Sequence, residues 1–272
     1  MNALHRLAGL IDSCLLPTVG GRGAPLPDWI LRALEGGTPG VAVQAPGVAA
    51  RATADALRAA LPDALTGHPG PHRPGGGSAA AAELVAAGAN LHLGVRPRVG
   101  ADETRVFVTD LQTHGVAAAL GPFTGAGPLR PFAEGAAAGV RAITAGHSPV
   151  PGEPGDDALP AMLSGPAVTG VLRGELGYGG VVVSGTLDAP AIVAGWGVPG
   201  AAVLAWIAGV DLVRLGPTSG AGVRDAIHAA AARAVADGDL TLSRLEEAAE
   251  RVARLRRWAS EPRMPATVAT EG

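Results

Sequence analysis

Residues 163–192 read LSGPAVTGVLRGELGYGGVVVSGTLDAPAI. The first part, residues 167–176, spaces its apolar side chains as one face of a helix. A Gly-Tyr-Gly-Gly turn follows, and then a continuous apolar run at 180–184. A run without alternation is what a parallel strand buried on both faces requires. Helix, turn and buried strand make one unit of a βαβ chain.

The same grammar extends in both directions. Short apolar runs stand at 13–19, 40–44, 64–67, 90–95, 116–120, 142–145, 180–184 and 211–215. Helical patterns fill the intervals at 48–61, 79–87, 103–114, 129–138, 167–176 and 201–208, and two more close the chain. The first of these is about 222–236. The second starts at Ser243, where Glu246 three residues on completes a capping-box pattern. Eight strands alternating with helices predict a single α/β domain, a (β/α)8 TIM-type barrel, which needs roughly 250 residues. The chain has 272. The barrel is expected over residues 1–260, with a disordered tail at 261–272.

Composition narrows the chemistry. Hydrophobic residues make up 47% and aromatics 3%, so the core is built from Ala, Val, Leu and Ile. The net charge of −3 argues against a nucleic-acid or membrane-surface partner. All 21 basic residues are Arg, so Schiff-base chemistry on lysine is excluded. The one cysteine, Cys14, forms no internal disulfide. It is expected in the first strand. A lipoprotein anchor there fits poorly, because Asp12 interrupts the apolar stretch. A cytoplasmic protein is the reading, with no cofactor called for and a protein partner left open. Trp196 and Trp206 are open to an interface role, with core packing as the default.

The stretch at 163–192 resembles the glycoside hydrolase family 3 segment "LS…VLTGLLRGELGFDGVVVTDALDMKAI" of bacterial β-N-acetylhexosaminidases. Residues 201–217, AAVLAWIAGVDLVRLGP, resemble that family's next helix and last strand. Residues 87–93, AGANLHL, resemble "AGVNLNLAPVLDV", and 129–151 resemble "L.PF..AI.AGV.AVMTAHI..P". The resemblance implies a barrel and, in ordinary members, hydrolysis of O-glycosyl bonds through a covalent intermediate.

It also locates the working positions, and these are altered. The nucleophile is the Asp of the family's Thr-Asp pair; here that pair is Ser184-Gly185. The family's Lys-His-Phe-Pro-Gly-His-Gly motif matches Gly121-Pro122-Phe123-Thr124-Gly125-Ala126-Gly127, without its Lys or either His. The acid/base loop is missing, since the chain passes from Gly127 almost directly to Leu129. No carboxylate remains at Thr66-Gly67-His68-Pro69-Gly70, and Arg98 stands where the Asp after strand four is expected. Only His147 keeps its family identity. A retaining glycosidase needs two carboxyl groups about 5–5.5 Å apart, so the resemblance implies a barrel that has lost this mechanism.

The rim of the barrel has exchanged acids for bases. His68, His72, Arg73, Arg96, Arg98 and His147 follow strand ends and favour carboxylate, phosphate or an acidic sugar. Ordinary solvated loop arginines are the competing reading. Asp188, three residues beyond Gly185, is a further contact candidate, although capping the next helix is its simpler role. His68, His72 and His147 form no metal set, since Pro69, Gly70 and Pro71 forbid the helix that His-x3-His spacing would need. The run Gly75-Gly76-Gly77-Ser78 opens a helix but lacks a P-loop pattern. The expected function is therefore non-hydrolytic binding of a sugar-derived or anionic small molecule. The alternatives are a divergent glycosidase using Asp188 with Glu153, Asp156 or Asp157, and an enzyme of altered chemistry using the rim His and Arg groups.

Overall fold

The computed structural model describes residues 3–20, 25–69, 76–97, 102–150 and 158–261. Nine strand segments form one parallel sheet: β1 (Leu15–Leu16), β2 (Thr18–Gly20), β3 (Gly40–Gln44), β4 (Leu65–His68), β5 (Leu91–Val95), β6 (Ala117–Phe123), β7 (Ala142–Ala145), β8 (Val181–Thr186) and β9 (Leu212–Arg214). β1 and β2 are two halves of one strand, parted at Pro17, which has no N–H to give a ladder. β1 pairs with β9, Leu15 opposite Val213, while β2 pairs with β3, Thr18 opposite Ala42. The split strand therefore joins the last strand to the second, and the eight-stranded barrel closes. All eight strands stand where the apolar runs place them.

The helices are α1 (Ala3–Ser13), α2 (Asp28–Gly36), α3 (Gly47–Ala60), α4 (Gly77–Ala86), α5 (Glu103–Thr113), α6 (Arg130–Ala137), α7 (Pro190–Ala208), α8 (Ala221–Asp237) and α9 (Leu242–Ser260). The segment expected as an α-helix at 167–176 is instead a wider π-type helix, Pro166–Glu175. Its i→i+5 bonding is seen in Leu176 N donating to Val171 O at 2.9 Å. α7 begins eleven residues earlier than the pattern at 201–208 indicates, and it is broken at Gly197, whose φ of 64° is left-handed. This helix is long and apolar enough to cross a membrane by length and composition, but its C-terminal half is buried against the barrel, with Trp206 fully enclosed. Trp196 is partly buried against the same core. α9 is capped by Thr241, whose Oγ1 accepts from Arg244 N at 3.2 Å. Ser243 is not the cap; it lies inside the first turn with its hydroxyl 3.0 Å from that of Thr241.

Two layers of apolar packing follow from the period-two alternation of strands. Leu15, Ile143, Val182 and Val213 face outward and pack under the helices. Leu16, Ala42, Leu65, Leu91, Ala117, Ala119, Ala142, Val181, Val183 and Leu212 fill the interior, and Val252 and Leu255 of α9 close it from the end where the strands begin. The interior is thus a packed core, as such barrels require. Cys14 lies in the turn between α1 and β1, fully buried, its thiol directed at Leu245 O at 3.8 Å. Burial, aided by the charge of Asp211, pushes that thiol up to about 12. Residues 262–272, most of the expected tail, lie outside the described residues.

Candidate functional site

Ligands of parallel barrels bind where the strands end. The interior positions fix which side chains reach that mouth. Two residues on from Leu16, Ala42, Leu65, Ala119, Ala142, Val183 and Leu212, the inward direction recurs at Thr18, Gln44, Gly67, Gly121, Thr144, Gly185 and Arg214. With Leu93 of β5, two on from Leu91, this mouth layer carries three glycines, two threonines, a glutamine, an arginine and a leucine. It contains no carboxylate.

The glycines are places where neighbours have moved in. A Cβ on Gly67 would stand 2.8 Å from Leu93 Cδ1, and one on Gly121 would stand 2.6 Å from Thr144 O. A Cβ on Gly185 would lie 2.4 Å from His147 Cε1 and 2.6 Å from its Nε2. His147 is held there by a contact of 2.8 Å between Nε2 and the Thr186 carbonyl. At this distance Nε2 carries the proton and donates it. The imidazole therefore fills the volume that a side chain at 185 would enter.

Ser184 faces away from the interior. It is fully buried, and its Oγ accepts from Arg214 N at 2.9 Å, bridging a shift in the β8–β9 ladder. It has no exposed hydroxyl to act as a nucleophile. Asp188 does not cap α7, whose N-cap is Ala189 without a side-chain bond. Its carboxylate instead folds over Gly216, where a Cβ would be 1.7 Å from Oδ2, and accepts from Thr218 Oγ1 at 3.0 Å. The reason is geometric: Gly216 leaves a space beside Asp188 that the helix entrance does not offer.

The other expected rim residues divide. His68 ends β4, with Nε2 3.3 Å from Ala45 O. His92 is a buried barrel histidine whose Nδ1 is 3.3 Å from His68 O. Arg96 follows β5 and is exposed. Pro122 is exposed beside the buried Gly121. His72, Arg73 and Arg98 lie outside the described residues, as do Glu153, Asp156 and Asp157. Among the described residues no group of three His, Cys, Asp or Glu side chains is placed to hold a metal ion.

One mouth residue escaped the sequence reading. Arg214 ends β9, and among the described residues its buried Nε has no hydrogen-bond partner. Among the described residues its guanidinium forms no ion pair. Burial lowers its pKa to about 10, with the charge of Asp188 opposing that shift. It remains protonated at neutral pH. Thr18 Oγ1 and Thr144 Oγ1, also in the mouth layer, are likewise buried and unpartnered. The readable signal was a charge inside the apolar strand run LVRL, at the inward phase set by Leu212.

A cleft of about 590 Å³ lies at the opposite end of the barrel, lined by Arg141, Tyr178, Arg251 and Arg254 among others. It adjoins a buried ionic cluster. Asp211, fully enclosed at the start of β9, receives Arg173 at 2.5 Å, Arg244 at 2.5 Å and Arg251 at 3.2 Å. The Val182 N–H adds a bond of 2.9 Å. This end holds charges by pairing them.

The fold has close counterparts among solved structures. A glycoside hydrolase family 3 beta-N-acetylglucosaminidase from Paenibacillus sp. str. FPU-7 superposes with a TM-score of 0.78 at 22% identity, over 97% of this chain and 65% of that one. A beta-N-acetylhexosaminidase from Beutenbergia cavernae DSM 12333 gives 0.72 at 22% identity, covering 92% and 98%. A family member from Mycobacterium smegmatis gives 0.69 at 20%, covering 94% and 97%. The chain therefore spans about two-thirds of the Paenibacillus enzyme, whose remainder has no counterpart here. Among curated proteins no sequence relative matches. The model of the "Glycosyl hydrolase family 3 N terminal domain" matches residues 124–255, from the altered β6 motif through β8 and β9 into α9. With that match set on a closed barrel of the same architecture, the chain carries a barrel of the glycosyl hydrolase family 3 N-terminal domain type.

Proposed function

We propose that this barrel binds a sugar-derived or anionic small molecule at its mouth and does not hydrolyse glycosides. One observation carries the reading: the inward-facing residue of β8 that would supply the nucleophile is Gly185, and the His147 ring occupies its side-chain space. A covalent glycosyl intermediate needs a carboxylate there. General acid assistance contributes roughly 10²–10⁴ in rate, and the described mouth layer offers no acid to give it. The proposal places the protein in the cytoplasm, acting on a soluble ligand.

Purified protein incubated with nitrophenyl glycosides, the N-acetyl-β-glucosaminide included, is expected to release nitrophenol at the buffer rate. Turnover that disappears in Asp188→Asn would overturn the reading. The rival, a divergent glycosidase, is favoured by one observation: Asp188 is a carboxylate near the mouth whose charge acts on Arg214. Its bond to Thr218 and its seat over Gly216 turn it toward the loop after β9 instead.

A further inference from the structure

We propose that Arg214 is the anchor of an oxyanion site in the barrel mouth, and that the ligand is a small molecule carrying a carboxylate or a phosphate. The inference rests on the mouth being a binding site and adds the chemical class and the residue that selects it.

Three polar groups of this layer have no hydrogen-bond partner among the described residues: Arg214 Nε, Thr18 Oγ1 and Thr144 Oγ1. Leaving a buried donor unsatisfied is costly, and more so for a charged group. Native proteins keep few such groups, and each needs an explanation. Ordinary structural arginines in this same chain are satisfied. Arg173 donates to Tyr178 O, Gly180 O and Asp211, and Arg224 forks onto both oxygens of Asp12 at 2.8 and 2.6 Å. Arg214 has the same chemistry, yet among the described residues the one acid whose charge reaches it, Asp188, forms no ion pair or hydrogen bond with it.

The missing partner has a definite form. A guanidinium presents its N–H groups in a planar fork that matches a carboxylate or phosphate edge. The threonine hydroxyls sit on β2 and β7, so they approach from other parts of the ring and add donors to the same oxyanion or to hydroxyls on the ligand body. The glycines at 67, 121 and 185 keep the floor of the mouth free of competing side-chain acids. Asp188, the acid whose charge acts on Arg214, is already engaged by Thr218.

The test compares matched pairs of probes by titration calorimetry and thermal shift: glucuronate and glucose 6-phosphate against glucose and N-acetylglucosamine, with inorganic phosphate alone as a further arm. At least one anionic sugar is expected to bind ten times more tightly than its neutral counterpart. The uronate and phosphate arms show which oxyanion is preferred. Arg214→Gln should remove at least a factor of ten from the anion's affinity. Arg214→Lys, which keeps the charge but not the fork, should fall between. If Arg214→Gln does not fold, Thr144→Val keeps the side-chain volume, removes one hydroxyl and should weaken the same probe several-fold. Equal binding of neutral and anionic probes, or anion binding unchanged in the Arg214 variants, would overturn the inference while leaving a sugar-binding mouth intact. Absence of binding by every anionic probe would also overturn it. Glycoside turnover, by contrast, defeats the functional reading itself and is measured separately.

Discussion

The two ends of this barrel treat buried charge in opposite ways. Where the strands begin, Asp211 gathers Arg173, Arg244 and Arg251, and Glu247 meets Arg244 at 3.0 Å, so each charge has a neighbour of the other sign. Where the strands end, Arg214 stands with a buried, unbonded Nε, and two threonine hydroxyls share its condition. Both ends are made from the same strands, and β9 runs between them, starting just after Asp211 and finishing at Arg214. The contrast separates charges that hold the fold from a charge the fold merely tolerates. In barrels of this type the first end serves stability and the second serves ligands. A buried pair contributes little net stability, yet removing one partner is expensive.

The largest effect should come from breaking the paired end. Asp211→Ala leaves three arginines facing each other and is expected to cost about 3–5 kcal/mol, read from denaturant unfolding. A smaller cost there, close to that of a surface substitution, would erase the contrast. Cys14 reports the same end by reactivity. With its thiol pushed from 9.0 to about 12, the thiolate fraction at pH 8 falls roughly a thousandfold. A thiol reagent should therefore label it only after unfolding.

At the mouth the expected effects are smaller and differ in sign. Gly185→Asp forces His147 off the Thr186 carbonyl and should destabilise by about 1–3 kcal/mol, as overpacking does. It should not create turnover on nitrophenyl glycosides, because the described mouth layer has no acid to assist it. Arg214→Leu should do the reverse and raise stability by about 1 kcal/mol, a rise of roughly 2–4 °C in Tm for a chain of this size, as a desolvated orphan charge is removed. A fall in Tm would mean that Arg214 supports the fold. The exposed Arg254–Glu250 pair at 2.8 Å marks the floor of the scale, with Arg254→Ala changing stability by less than about 0.5 kcal/mol.

The strands were legible because each is an apolar run cut by Gly or Pro, and burial on both faces leaves nothing else for such a run to be. The helices were legible where the spacing was unbroken. α1 is absent from the expected helices although Leu7, Ile11 and Cys14 recur at helical spacing, because Asp12 cuts the short apolar stretch and Cys14 reads as part of the first strand. α7 was read short because Gly195, Gly197 and Pro199 interrupt it, and the chain answers with a kink rather than a stop. The altered nucleophile pair was legible from resemblance. That His147 fills the place was not, since residues 147 and 185 meet only across β7 and β8. The Asp211 cluster joins residues 33 to 40 positions apart, and no local pattern announces that. Arg214 looked like one charge in a strand; only the alternation, once the barrel is closed, turns it inward.

The division of the first strand at Pro17 sets a condition on biosynthesis. Until β9 emerges, Leu15 and Leu16 have no ladder on one side, and the wall of the barrel is a sheet with two raw margins. Closure joins Leu15 to Val213, so the entropy of that long loop is met only once β9 has been made. A nascent chain stalled before residue 212 would carry sticky edges of the kind that recruit chaperones or other copies of itself. Ribosome-bound intermediates of this protein should thus be most vulnerable to self-association in the interval before Val213 meets Leu15.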